Sequence, residues 1–573
     1  MKTGFLIFLI AKILVETSCS CQPLTLICAG NMRNRRSLWR SFTTRHEMSK
    51  EIKYDKASDT EVIRGHPEEA SSAEHRALET PVDAQLGCHS GSTMKTAAEN
   101  SQNSEILEKY AADYPMGPHD KPQSMCPAFG SLRVGLRMRR VATVLSGSAC
   151  CVYGLTFVSH FYGARRSVGY VPFNSETLVT GKLFEDIRDA VHELADPDHY
   201  DAVVVTNLCV PTASGVPLRL LPNEINGVRI IGIDVPGFGV PTHAEAKDIL
   251  AGAMLNFARQ EVEAGPVQAP KAGKNDRPSV AILGEMFPAD PMVIGAMLDP
   301  MGLSAGPVLP AREWRELYAA LECEAVAAIH PFYTATLREF DAAGRPAFGS
   351  APVGYDGTAN WLANVGKIFS VPQKQVAQAQ NMFLPAIKEA LEKTPIKGRI
   401  TLSGYEGSEL LVARLLIESG AEVPYVGTAC PKTEMSQVDA AWLSQKGVAV
   451  KFRASLEDDL SAIDAFEPDL AIGTTPVVQH AKEQGRPGLY FTNLVSARPL
   501  MGVAGAGSLA EVINTAIGNR DRMANLKGFF EGVGADDTSG VWEGSPNLRP
   551  EFRAQHQKKL DKAAKAAKAQ EMI

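Results

Sequence analysis

Three cysteines have the residue type and the placement to do chemistry. Cys126 lies in the run Ser124, Met125, Cys126, Pro127, followed by Ala128, Phe129 and Gly130. Cys151 follows the apolar run 141–145 and a small-residue turn, Ser146, Gly147, Ser148 and Ala149. Cys209 follows a second apolar run at 202–208. Each stands where a buried strand of an α/β sheet is expected to end. Ligand-bearing loops of open α/β sheets collect at the carboxyl ends of their strands. Thiolates brought together from separate loops suit iron or an iron–sulfur cluster. The same residues also fit small, inert core cysteines, and no CxxC pair argues for a metal.

The elements that must position them read as three successive Rossmann-like α/β units. The first spans 122–275, with strands at 141–145, 202–208 and 228–234. An amphipathic helix at 183–194 repeats Phe184, Ile187, Val191 and Leu194 at helical spacing. A linker rich in Ala, Gly, Pro and Lys at 265–278 leads to the second unit, 276–395, with strands at 279–284 and 325–330. The third, 396–530, carries strands at 399–403, 423–427, 448–452, 470–473 and 488–492. Continuous apolar strands alternating with amphipathic helices imply parallel sheets covered on both faces. Residues 531–573 form a tail whose Lys/Ala-rich part, 553–568, reads as a solvated helix.

Composition narrows the class. The chain has 573 residues, 45% hydrophobic and 21% charged, with a net charge of −7. That is an ordinary globular balance, without the basic footprint of a nucleic-acid binder. Ten cysteines in so long a chain are not a disulfide framework and fit a reducing, cytoplasmic setting. The first eleven residues look like a short signal core, and Arg33, Arg35, Arg36, Arg40 and Arg45 follow. Neither matches the rest of the chain. The expectation is that 1–47 stems from a start placed too far upstream. Met48 then opens a polar, partly disordered leader over 48–121, with one helix at 105–113.

Several chemistries are missing. No GxxxxGK[ST] loop occurs, so the chain itself is not expected to bind ATP. No GxGxxG follows a strand, and there is no HExxH and no GxSxG elbow. The glycine-rich run 502–508 reads as a tight turn.

The stretch from Cys126 to Phe530 resembles the catalytic components of nitrogenase-like enzymes. The resemblance rests on Met125, Cys126 and Pro127, on 147–154 around Cys151, on 206–212 around Cys209, and on the strand and Pro-Gly-Phe turn at 233–239. Within the family, 114–137 and 87–91 resemble the Y-type subunits of chlorophyllide a reductases, over roughly 85–530. The resemblance implies that Cys126, Cys151 and Cys209 are ligands of a [4Fe–4S] cluster, with Cys150 a rival to Cys151. Three thiols leave a four-iron cluster one ligand short, so the resemblance implies a fourth from a Z-type partner subunit in a heterotetramer. It implies a separate ATP-dependent iron–sulfur reductase that docks transiently. Chlorophyllide a is the implied substrate, reduced at the C7=C8 bond of ring B, in the cytoplasm or at the photosynthetic membrane. A protochlorophyllide-reducing enzyme of the dark-operative type and a cluster-assembly scaffold share the three-cysteine logic. His160, His243 and His330 are candidates for magnesium ligation or proton donation as well as for structural roles. Tyr153, Phe157 and Phe161 are candidates to line an apolar pigment pocket or to pack the core.

Overall fold

Fourteen strands fall into three sheets in a computed structural model that describes residues 126–525, apart from 162–167, 274–275 and 285–290, together with Lys527. The expected leader segments, the helix at 105–113 and the tail helix at 553–568 lie outside the described residues.

The first sheet contains β1 (Val141–Gly147), β2 (Val168–Pro172), β3 (Ala202–Asn207), β4 (Glu224–Ile225) and β5 (Val228–Asp234), in the order β2-β1-β3-β5-β4. All its pairs are parallel except β4 with β5. Every residue of β1 and of β3 is buried, because helices cover both faces. Val141, Leu145, Ala202 and Val204 point into one core, whereas Ala142, Val144, Val203 and Val205 point into the other. The helix Leu183–Leu194 closes the second face through Leu183, Ile187 and Val191, spaced four apart. Burying each such side chain contributes about 1.5–3 kcal/mol.

The second sheet holds β6 (Ser279–Leu283), β7 (Ser304–Leu309), β8 (Ala325–Ala328) and β9 (Ala347–Gly349), all parallel, in the order β7-β6-β8-β9. It joins the other two. Ala281 and Leu283 pack with the core of the first sheet, while Val280 and Ile282 pack with a core that continues to Leu402 and Val426. The period-two alternation of a strand therefore makes β6 part of both cores.

The third sheet comprises β10 (Arg399–Gly404), β11 (Glu422–Thr428), β12 (Ala449–Phe452), β13 (Leu470–Gly473) and β14 (Gly488–Tyr490), all parallel, in the order β12-β11-β10-β13-β14. The run 502–508, expected as a tight turn, instead begins with a short helix, Gly502–Ala506. Gly502 enters it at φ 58°, a conformation that glycine adopts at little cost, and a Cβ there would lie 2.7 Å from Val293 Cγ1.

Strand order reverses once in each sheet: between β1 and β3, between β6 and β8, and between β10 and β13. Such switch points open a crevice at the carboxyl ends of the strands, where open α/β sheets take their ligands.

Candidate metal centre at the end of the first sheet

Register decides which loops meet at the first switch point. Ser146 of β1 pairs with Asn207 of β3, and Asn207 pairs with Asp234 of β5. The three strands thus end level, and the loops that follow carry Cys150 and Cys151, Cys209, and Gly237. The first two approach closely: a Cβ on Gly147 would lie 2.8 Å from Leu208 Cδ1, so only glycine fits there without a shift. The Cys209 loop is tied down by Asn207 Nδ2, which donates to Asp234 Oδ1 (3.0 Å) and to the Val216 carbonyl (3.2 Å), and by Thr212 Oγ1, which donates to the same carboxylate (3.2 Å).

The thiols have donors aimed at them. The Gly237 amide donates to Cys209 Sγ at 3.0 Å. Ser148 Oγ lies 3.2 Å from Cys151 Sγ, to which it donates, and 3.2 Å from Cys150 Sγ. Cys150 and Cys151 also sit in the first turn of the helix Ala149–Phe161, where the helix dipole favours a thiolate. Both are exposed, and Cys209 is half-buried. Bonds from Ser148 and from Cys151 push the Cys150 thiol below its ordinary value. Surrounding protein pushes the Cys151 thiol up, against the Ser148 bond, and the charges of Cys150 and Cys209 add to the rise. Cys151 therefore lies within the electrostatic reach of Cys209. Tyr170, in the middle of β2, is raised by burial and then by the charges of Cys150 and Cys151.

Cys126 stands on a different element, ahead of the helix Ala128–Arg137. It is half-buried against the first core, and its carbonyl accepts the Phe129 amide at 3.0 Å as the helix Ala128–Arg137 begins. That helix crosses the start of the helix His243–Ala264, whose His243 carbonyl lies 2.2 Å from where a Gly130 Cβ would sit. Among the described residues, no three His, Cys, Asp or Glu side chains converge on one metal-ion position. The thiols stand on separate loops.

Comparison with known proteins gives this edge a context. A family model of nitrogenase component 1 type oxidoreductases matches residues 126–518. The chain belongs to that family. The chlorophyllide reductase 52.5 kDa chain of Cereibacter sphaeroides is 74% identical over 488 residues, 85% of this chain and 97% of that one. Its counterpart from Rhodobacter capsulatus is 70% identical over 491 residues, 86% of this chain and 99% of that one. Over nearly the whole of both relatives this chain is similar to chlorophyllide reductase chains, and its family is one of oxidoreductases. A solved structure of nitrogenase Cp1 at pH 6.5 shares the fold, with a TM-score of 0.51 at 17% identity over 73% of this chain and 96% of that one.

The remaining sequence candidates separate. Tyr153 is 71% exposed, so it does not pack the core. Its helix holds Phe157, His160 and Phe161, whose side chains are outside the described residues. His243 and His330 meet in a buried cluster that sequence reasoning missed. Glu406, just after β10, accepts from Lys247 Nζ at 3.2 Å, and His243 Nδ1 lies 3.7 Å from its other oxygen. His330, just after β8, donates from Nε2 to the Glu406 carbonyl at 2.7 Å. Burial pushes the Glu406 carboxyl up, but Lys247, His243 and Arg133 outweigh it and hold the group well below the usual carboxylate range. Burial pushes the neighbouring Glu409 up to about 7, although it accepts from the Glu406 and Gly407 amides and from Thr428 Oγ1. Burial and then the Lys247 charge lower His330 to about 4, which keeps it neutral. The partners lie 159 residues apart in sequence, so no local motif announces the cluster. Among the described residues, no helix is long and apolar enough to cross a membrane.

Proposed function

We propose that this chain is the Y-type subunit of a chlorophyllide a reductase and that Cys126, Cys151 and Cys209 hold a [4Fe–4S] cluster. Identity of 74% across 97% of a chlorophyllide reductase chain carries the reading. The donor set fits the group. A four-iron cluster takes one thiolate per iron, so it calls for ligands spread over separate loops rather than convergence on one ion. Donors already aimed at Cys209 and Cys151 suit sulfurs that bear negative charge. The fourth ligand comes from a Z-type partner subunit, and two such pairs form a heterotetramer.

When bound, the cluster supplies one-electron transfer between a transiently docked ATP-dependent iron–sulfur reductase and chlorophyllide a, whose C7=C8 bond is reduced. The residues of this chain hold and shield. The loops after β1 and β3 set the spacing of Cys151 and Cys209, and the Gly237 amide and the Ser148 hydroxyl stabilise their thiolates. Exposed Tyr153 and Phe238, 71% and 59% exposed, offer apolar surface beside the thiols for the partner or the flat pigment to cover.

The test is anaerobic co-expression with the partner, followed by iron analysis, low-temperature EPR and pigment turnover. About four iron per heterodimer and conversion of chlorophyllide but not protochlorophyllide are expected. Cys209→Ser should remove or alter the cluster signal and leave circular dichroism unchanged. Normal iron and turnover in that variant refute the ligand assignment, and conversion of protochlorophyllide alone refutes the substrate.

A further inference from the structure

Ser148 stands between two thiols, and its chemistry permits one ordering of them. Its Oγ is 3.2 Å from Cys151 Sγ and 3.2 Å from Cys150 Sγ. A hydroxyl has one hydrogen to donate and lone pairs to accept. The geometry directs that hydrogen to Cys151, whereas between Ser148 and Cys150 either atom is able to donate. With Cys151 held as the thiolate that takes the serine hydrogen, as in the ligand reading, the hydrogen between Cys150 and Ser148 is the one on Cys150. The bonds therefore run one way, from the Cys150 S–H to the Ser148 oxygen and from the Ser148 O–H to the Cys151 sulfur.

The position of Ser148 is fixed by its backbone. Its carbonyl accepts the Val152 amide at 3.2 Å and so starts the helix. It follows Gly147, which is held against Leu208. The far end of the bonded series is Cys151, on the segment after β1, which ends level with β3 and the Cys209 loop. Cys150, one residue earlier in the helix, occupies a different side of it.

We propose that Ser148 is a positioning residue for the Cys151 thiolate and that Cys150 is its supporting donor, outside the ligand set. The inference rests on the reading of Cys151 as a cluster ligand. One oriented O–H···S bond fixes the Cys151 side chain and withdraws charge from its sulfur. Hydrogen bonds to cluster sulfurs help set reduction potential, and partners one shell out orient the ligands themselves. Withdrawing charge favours the reduced state, so the bond raises the potential.

The experiment uses the co-expressed complex, purified without oxygen, with iron content, EPR and a mediated redox titration as readouts. Ser148→Ala should retain full iron and shift the midpoint to more negative potential. Cys150→Ala should retain full iron and shift it in the same direction by less. The double variant should match Ser148→Ala alone, because Cys150 acts only through Ser148. Ser148→Thr and Cys150→Ser keep a donor at each place and should stay near the wild-type midpoint. Three results overturn the proposal while leaving a cluster in place: an unmoved midpoint in Ser148→Ala, additive shifts in the double variant, or iron lost in Cys150→Ala but kept in Cys151→Ala. An iron-free wild-type complex instead overturns the ligand reading beneath it, and the proposal falls with it.

Discussion

Replacing Lys247 by Met tests the buried cluster where the helix His243–Ala264 meets the ends of β8 and β10. Lys247 is 2% exposed, with its Nζ 3.2 Å from Glu406 Oε2. Methionine keeps most of the volume and removes the charge, leaving a buried carboxylate short of its main partner. Breaking a buried pair from one side costs about 3–5 kcal/mol. His243 and Arg133 still oppose the burial of Glu406, so we expect about 3 kcal/mol, a large share of a typical stability of about 5–15 kcal/mol. The pH dependence identifies the cause. In the wild type Glu406 is held below its unfolded value, so its contribution is complete above the ordinary 4.5 and is lost only in strong acid. In the variant burial dominates, and the folded carboxyl binds its proton more tightly than the unfolded one. Stability then falls as pH rises above about 4.5, by up to about 1.4 kcal/mol per pH unit. Urea unfolding of the full chain at pH 4.5 and pH 8, followed by tryptophan fluorescence and circular dichroism, reads the difference from wild type. The deficit should be larger at pH 8, and Lys247→Met with Glu406→Gln should recover most of it. A deficit below about 1 kcal/mol, or one equal at both pH values, refutes the reasoning.

Three further outcomes are expected. His330 is lowered from the ordinary 6.5 to about 4, so its contribution is complete above 6.5 and is lost as pH falls toward 4, about 3 kcal/mol in all; His330→Gln should flatten that acid limb of the stability curve, and an unchanged slope would count against it. Arg414 and Asp439 form an ion pair at 1% and 0% side-chain exposure, with the guanidinium over the Trp442 ring at 4.8 Å; Arg414→Met should lower stability by about 3–5 kcal/mol, and a loss below 1 kcal/mol in urea titration would show the pair to be dispensable. Cys323 is buried and its thiol is pushed up to about 11 by burial, whereas Cys150 is exposed and lowered; iodoacetamide with peptide mapping should label Cys150 in the folded, cluster-free chain and reach Cys323 only after unfolding, and equal rates would contradict the burial.

The parts of this fold that sequence made legible are those where local pattern and tertiary environment agree. β1 and β3 are apolar runs buried throughout because both faces are covered, and the starts of β1, β3 and β5 coincide with the expected strands. β7 escaped notice because Gly306 and Pro307 give it the look of a turn, and β2 because it is short and only Val171 is buried. Strand order is a product of long-range pairing and leaves no local trace, yet it is what gives the cysteines their setting. Cys151 and Cys209 were legible as residues at strand ends; that β1 and β3 flank a switch point was not. The same order explains a contrast between the sheets. At the second and third switch points the loops end in His330 and Glu406, which bond each other and bring in Lys247 from the helix after β5. There the Lys247–Glu406 ion pair is buried. At the first switch point Cys150 and Cys151 are exposed, and so are Tyr153 and Phe238 around them. An apolar rim around thiols is costly to leave in water. On the proposed reading, the first of the three carboxyl edges is therefore the one that a partner covers.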